Sequence, residues 1–283
     1  MSVRLFDGKK VANKILEDLK QRIKKENLKP KLAVILVGED EASKIYIRLK
    51  KEAAERVGVE FELYKYDSGI KEEKIIAKIE ELNTRDNVTG IIVQLPLPQG
   101  LDKNEIISAI DPLKDVDGFH EENRRLFEKG ETRFEPVLPS AILRAIKETV
   151  GENVARKKAV ALVNSAIFGQ MLKLVLEKHG IDFKYIIRNV CSIGGAEKEL
   201  KESDIVISVC GCPGLITGDM IKKGAVVIDA GIFRSQDGKV VGDTDRASVE
   251  NIVSFLTPVP GGLGPLVIAL LLNNVFIASK IKK

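Results

Sequence analysis

The sequence has no tryptophan, two histidines, three cysteines and 5% aromatic residues over 283 positions. The scarcity of histidine and cysteine removes one class of function. His120 and His179, with Cys191, Cys210 and Cys212 outside any CxxC spacing, do not make a zinc site. No metal is therefore expected, and the cysteines read as reduced structural thiols. No apolar run nears the length that crosses a bilayer, and no charged, apolar, small-residue leader opens the chain. A membrane partner is not expected, and the cytoplasm is the default compartment. Nor is there a long block of one charge: 45 basic and 41 acidic residues, a formal net charge of +4, are interspersed apart from "KKENLKPK" and the final "KIKK". That mixture describes solvated faces rather than a nucleic-acid groove. A last absence falls at "VALVNSAIFGQM", residues 160 to 171, where a buried strand runs into a helix through a turn with one glycine, Gly169, instead of a glycine-rich phosphate loop.

What is present describes a globular protein. The chain is 44% hydrophobic and 30% charged, long enough for one large α/β domain or two of ordinary size, and two are expected. The abundance of Lys, Glu and Ile leans towards a thermophilic source, because charged networks cost less desolvation when hot. Helical and strand patterns alternate: an amphipathic stretch from Gly8 to about Glu26, "KLAVILV", residues 41 to 57, "VEFELYKY", residues 71 to 83, and "VTGIIVQL". Alternation of this kind predicts a parallel sheet flanked by helices. "LPLPQG" and "DPLKDVDGFH" follow as ordered loops at the carboxyl ends of strands, where open α/β sheets bind ligands. From about Pro139 a helix leads into a second series: "AVALV", residues 166 to 179, "DFKYII", residues 195 to 202, "DIVISV", "AVVIDA" and "IVSFL". This second series is the candidate nucleotide fold, a Rossmann-type doubly wound parallel sheet. The expected division is a first α/β domain over residues 1 to 138, completed by a C-terminal helix at 265 to 283, and a second over 139 to 264, with a cleft between them.

Four stretches carry candidate chemistry. In "EASKIYIRLKKEA", Tyr46 and Lys50 are four apart and share one helix face. A lysine beside a polar partner in a partly dry cleft can move protons near neutrality, although the same spacing also suits a plain surface pair. Short-chain dehydrogenases use Tyr-x-x-x-Lys too, but after the nucleotide loop; here it precedes that loop by more than a hundred residues. In "IIVQLPLP", Gln94 ends a buried strand and its amide can hold an amine or a carbonyl, while the two prolines fix a rigid platform. "KDVDGFH" offers Asp115 and Asp117, either of which can accept two hydrogen bonds from a ring NH and an exocyclic amine, or close an ordinary Asx turn. "TPVPGGLGPL", residues 257 to 266, places prolines and glycines between a strand and a helix, which lets backbone approach a ligand closely.

Taken in order, these stretches resemble the bifunctional methylenetetrahydrofolate dehydrogenase/cyclohydrolase family, with "GAVVIDAGIFR" and "KVVGDTD" adding to the match almost end to end. The resemblance implies a folate site between two α/β domains, NADP on the second domain, and a homodimer. It implies oxidation of methylenetetrahydrofolate to methenyltetrahydrofolate, then hydrolysis to formyltetrahydrofolate. Carried over by position, Lys50 transfers protons in the hydrolytic step, Tyr46 lines the folate site, Gln94 orients and tunes Lys50, and Asp117 anchors the pterin. Val93, Leu95 and Pro260, Gly261, Gly262, Leu263 and Gly264 complete the folate site. Ile232 lies near the cofactor.

The departures fall on the nucleotide side. The family pattern G-R-S-x-x-V-G-x-P is met by "VNSAIFGQM": Val163 replaces glycine, Asn164 replaces arginine and Met171 replaces proline, while Ser165 and Gly169 remain. The family's P-C-T-P-x-G is "PVLPSA" at 136 to 141. Arg188, after "DFKYII", stands where the family contacts the extra ribose phosphate of NADP, and no acidic residue there favours NAD. NADP with Arg188 as its phosphate partner is the expectation, with NAD possible. A cyclohydrolase with an impaired or NAD-using dehydrogenase step, and a non-catalytic folate-binding protein, stay open beside the bifunctional enzyme.

Overall fold

A computed structural model describes residues 3–151, 154–235 and 237–281. In chain order the elements are β1 (Arg4–Leu5), α1 (Gly8–Lys25), β2 (Lys31–Val37), α2 (Glu41–Val57), β3 (Glu60–Tyr66), α3 (Glu72–Thr84), β4 (Gly90–Val93), α4 (Lys103–Ser108) and α5 (Glu121–Glu128). There follow α6 (Val137–Val150), β5 (Lys158–Val163), α7 (Ala166–Glu177), β6 (Asp182–Ile187), α8 (Glu197–Glu202), β7 (Ile205–Val209) and β8 (Val226–Asp229). The chain ends with a hairpin of β9 (Phe233–Arg234) and β10 (Val240–Val241), then α9 (Arg246–Val249), β11 (Phe255–Leu256) and α10 (Leu263–Ala278). Two compact units result: the described residues of Met1–Val11 with Leu138–Val267, and those of Ala12–Val137 with Ile268–Lys283.

The unit containing Ala12–Val137 is built on a parallel sheet in the order β3-β2-β4. β2 is buried at six of its seven positions, as a strand covered on both faces should be. Its core joins Ala33, Ile35, Ile75, Ile79, Leu82, Ile91 and Ile106. Beyond β4 the backbone of Lys114 accepts from Ile91 N at 2.8 Å, so the segment at 114–117 runs alongside β4 like a rudimentary fourth strand. Gly90 permits that approach, since a Cβ there would lie 2.8 Å from Val116 Cγ1. α10 contributes Asn274, whose Nδ2 donates to Val116 O and Glu135 O, both at 2.9 Å.

The other unit carries a six-stranded parallel sheet in the order β1-β11-β8-β7-β5-β6. Counting from β5, the strands run second, first, third, fourth, fifth, which is the flavodoxin-like doubly wound order with its switch point between β5 and β7. The doubly wound parallel sheet expected from the sequence is thus present. β1 and the β9–β10 hairpin carried no periodic signal, because a strand of two residues is shorter than any pattern that marks one.

The three cysteines are not all reduced thiols. Cys191 and Cys212 form a disulfide with Cα atoms 5.3 Å apart, and Cys210 alone is free. Their loops leave the carboxyl ends of β6 and β7, the strands on either side of β5. That strand order, which sequence spacing does not reveal, brings together residues 21 apart in the chain.

Candidate functional site

α2 presents the Tyr46 and Lys50 face because its ends are well fixed. Asp40 caps the amino end, accepting from Ser43 N at 2.7 Å, and Gly58 closes the other in the left-handed region, φ +87°. Lys50 is only 8% exposed. Its Nζ donates to Gln94 Oε1 at 2.8 Å, while Gln94 Nε2 donates to Leu95 O at 2.7 Å. Gln94 N in turn donates to Ile35 O at 2.9 Å, continuing the β2–β4 ladder past the end of β4. The amide therefore has one orientation, with its oxygen on the lysine. Burial lowers the Lys50 pKa, partly offset by the nearby Asp117 charge. Burial likewise raises the Tyr46 phenol to about 12, so it stays protonated and can donate. The bland alternative of an exposed i,i+4 pair does not describe Lys50. Val93 is buried just before this amide, and the Leu95–Pro96 bond that follows is cis.

The segment from Asp111 to His120 separates its two aspartates by role. Asp115, 1% exposed, accepts from His120 N at 2.8 Å and Asn123 Nδ2 at 3.0 Å. It closes the turn from within. Asp117 is half-buried and coupled to Lys50; burial raises its carboxyl to about 6, with the Lys50 charge opposing and Asp115 adding. Lys114, three residues earlier, is a buried ammonium that donates to Leu82 O, Asn83 O and Arg85 O at 3.0, 2.8 and 2.8 Å. It satisfies carbonyls left over at the end of α3. Among the described groups, Tyr46, Lys50, Gln94 and Asp117 are brought together within one unit, and Asp115 and Lys114 hold their scaffold.

In the other unit, Val163 ends β5 fully buried and Asn164 Nδ2 donates to Cys210 O at 3.5 Å. Ser165 caps α7, accepting from Phe168 N at 3.4 Å. Gly169 survives for packing: a Cβ there would lie 2.5 Å from the Tyr185 ring on β6, the close helix–strand contact that the third glycine of a dinucleotide fold provides. Arg188 extends the β5–β6 ladder through its N to Val163 O at 2.7 Å. Its Nη2 donates to Ile193 O at 2.5 Å and Gly194 O at 2.8 Å, and its Nε is buried without a partner. The guanidinium is thus folded over its own loop. Ile232 is 37% exposed beyond β8.

The loop over residues 257–264 follows β11. Val259–Pro260 is cis, Gly261 has φ +100°, and Leu263 begins α10. Gly262 N donates to Pro258 O at 2.7 Å, and a Cβ on Gly262 would meet that oxygen at 2.5 Å. Gly8, which sequence reasoning passed over, would place a Cβ 1.7 Å from Gly262 O. Gly262 and Gly8 are therefore required by backbone contacts within the protein itself. Gly264 lies in the first turn of α10.

Residues 6–117 match the tetrahydrofolate dehydrogenase/cyclohydrolase catalytic domain, and residues 136–283 match the NAD(P)-binding domain of the same family. A bifunctional protein FolD of Staphylococcus aureus is 38% identical over 291 aligned residues, covering 100% of this chain and 99% of the relative. The crystal structure of the bifunctional FolD of Campylobacter jejuni superposes with a TM-score of 0.87 at 36% identity, over 99% of both chains. That of Trypanosoma brucei FolD, complexed with NADP cofactor and inhibitor, gives a TM-score of 0.90 at 28% identity, over 99% of this chain and 98% of that one. The chain belongs to the tetrahydrofolate dehydrogenase/cyclohydrolase family.

Proposed function

We propose that this protein oxidises methylenetetrahydrofolate to methenyltetrahydrofolate with NADP and hydrolyses the product to formyltetrahydrofolate, as an enzyme of one-carbon metabolism. The observation that carries the hydrolytic half is the buried Lys50 whose ammonium is held by Gln94 Oε1 at 2.8 Å. Hydrolysis adds water to a cationic carbon and then breaks a C–N bond. One group must take a proton and later return it, a role worth roughly a hundred- to ten-thousand-fold. Lys50 suits this because burial lowers its pKa, so its amine can accept the proton from water and pass it to the departing nitrogen. Gln94 accepts from the ammonium and fixes where Nζ points. Tyr46 stays a phenol and lines the folate site beside Val93 and Leu95. Asp117, the carboxylate left outside the internal bonds of its turn, receives the pterin ring NH and amine.

The second unit fits a dinucleotide. It has a switch point between β5 and β7, a 12-residue helix opening at Ser165, and at the end of β6 an arginine with an unpartnered buried Nε where an NAD-preferring site would place a carboxylate. NADP, when bound, supplies the hydride acceptor. Val163, Asn164 and Ser165 form the turn beneath it, Ile232 borders it, and Arg188 meets the extra ribose phosphate. A homodimer, a cytoplasmic setting and a contribution to purine biosynthesis accompany this reading, on the strength of the family resemblance.

A second reading, a cyclohydrolase whose dehydrogenase step is impaired or uses NAD, is favoured by Asn164 in place of arginine and by the attachment of Arg188 to Ile193 O and Gly194 O. Absorbance change with methylenetetrahydrofolate and NADP or NAD, run beside decay of added methenyltetrahydrofolate, separates the two.

A further inference from the structure

Two buried carboxylates lie behind the carboxyl ends of β7 and β8, and neither belongs to the sites assigned above. Asp243, fully buried, follows β10. Its Oδ2 accepts from Ser208 Oγ at 2.6 Å and Cys210 N at 2.8 Å, and its Oδ1 accepts from Cys212 N at 2.6 Å. The turn leaving β7 is therefore hung, through two backbone amides, on one side chain from a distant part of the chain. Asp229, at the end of β8, does the same for the next crossing: it accepts from Gly231 N at 3.0 Å, Asp243 N at 3.1 Å and Thr244 N at 2.8 Å.

The two are interlocked by glycines. A Cβ on Gly231 would lie 2.0 Å from Asp243 Cγ, and a Cβ on Gly242 would lie 2.1 Å from Asp229 Oδ2. Gly211, with φ +72°, sits between the two amides that Asp243 holds, and its Cβ position is 3.5 Å from Ile232 O. Asn164 reaches the same turn through Cys210 O at 3.5 Å. The ends of β5, β7 and β8, which in this strand order form the floor of the ligand crevice, thus share one internal anchor.

We propose that Asp243 is a positioning residue for the nicotinamide nucleotide: it sets the turn at 209–212 and, through Gly231, the adjoining Ile232 segment before the cofactor arrives. This rests on the cofactor assignment above. Only a group with an acceptor at both ends serves here, because the Cys210 and Cys212 amides, which can only donate, sit on opposite oxygens of Asp243. An asparagine of the same shape must turn an NH2 group towards one of them, and at least one loop amide is released.

The test uses the full-length protein and calorimetric titration with NADP. Asp243→Asn is expected to weaken NADP binding roughly tenfold or more, the loss of a charged hydrogen bond to a preorganised loop. The KM for NADP should rise while that for methylenetetrahydrofolate changes little. Wild-type affinity for NADP in folded Asp243→Asn overturns the proposal. Amide hydrogen exchange on the unaltered protein tests it without a variant: Cys210 and Cys212 amides are expected to be protected without cofactor, and fast exchange there overturns preorganisation. If the unaltered protein binds neither NADP nor NAD, the cofactor assignment itself fails, and the proposal falls with it.

Discussion

Lys50 Nζ and Gln94 Oε1 are 2.8 Å apart, the donor on a helix and the acceptor just past the end of a strand. Because the lysine is buried and the amide has one orientation, Nζ is fixed in place before any ligand arrives, as the proposed proton-transferring role requires. Lys50→Ala should lower methenyltetrahydrofolate hydrolysis by at least about a hundredfold while folate binding, measured by titration, persists. Retained hydrolysis would refute the role assigned to Lys50.

Asp117 gives a pH signature. Its carboxyl is raised from the ordinary 3.8 to about 6, chiefly by burial. In its proposed role as pterin anchor Asp117 must be ionised, so kcat/KM for hydrolysis should fall below pH about 6, with an apparent value that belongs to the interacting Asp117–Lys50 pair. Stability runs the other way. A carboxyl whose folded pKa is raised contributes fully below its unfolded value and loses that contribution as pH rises through the folded one. Denaturant unfolding between pH 4 and 7 should show this decline reduced in Asp117→Asn; an unchanged decline would contradict it.

Arg188 follows β6, where two loop carbonyls already use its Nη2 and Ile187 O accepts from its Nη1 at 3.4 Å. Its buried Nε has no partner, which is the donor the proposed assignment leaves for the phosphate. Arg188→Ala should reduce the preference for NADP over NAD roughly tenfold, the scale of a charge-assisted bond. The ratio of the two dissociation constants is the readout, and an unchanged ratio removes Arg188 from the phosphate site.

The Cys191–Cys212 bridge links residues 21 apart, and in the chain-entropy account such a link stabilises by about 3 kcal/mol. Disulfides are rare in reducing compartments except in hyperthermophiles, which agrees with the thermophilic lean of the composition. Dithiothreitol should lower the melting temperature of the native protein and leave Cys191→Ser unaffected; equal shifts in both would contradict the bridge. Burial raises the Cys210 thiol to about 11, with the Asp243 charge adding, so it stays a thiol.

The regular elements were legible because each carries a local period: the buried run of β2 and the amphipathic face of α1 announce themselves. Tyr46 and Lys50 were legible as an i,i+4 pair, Gln94 as the end of a buried strand, and Asp117 as one of two loop aspartates before Gly118. What could not be read is whatever depends on a partner far along the chain. Asp115 and Asp117 look alike in "KDVDGFH", and only the fold shows one bonded inward and the other not. Lys114 caps a helix some thirty residues upstream. Gly169 resembled a remnant of a phosphate loop until Tyr185 was found against it, and the cysteine pairing depends on β5 lying between β6 and β7.

The most direct measurement follows both reactions on one preparation: methenyltetrahydrofolate formed from methylenetetrahydrofolate with NADP, and the decay of methenyltetrahydrofolate added without cofactor. The account predicts that both proceed and that NADP supports the first better than NAD. Hydrolysis with no oxidation by either nucleotide would contradict it.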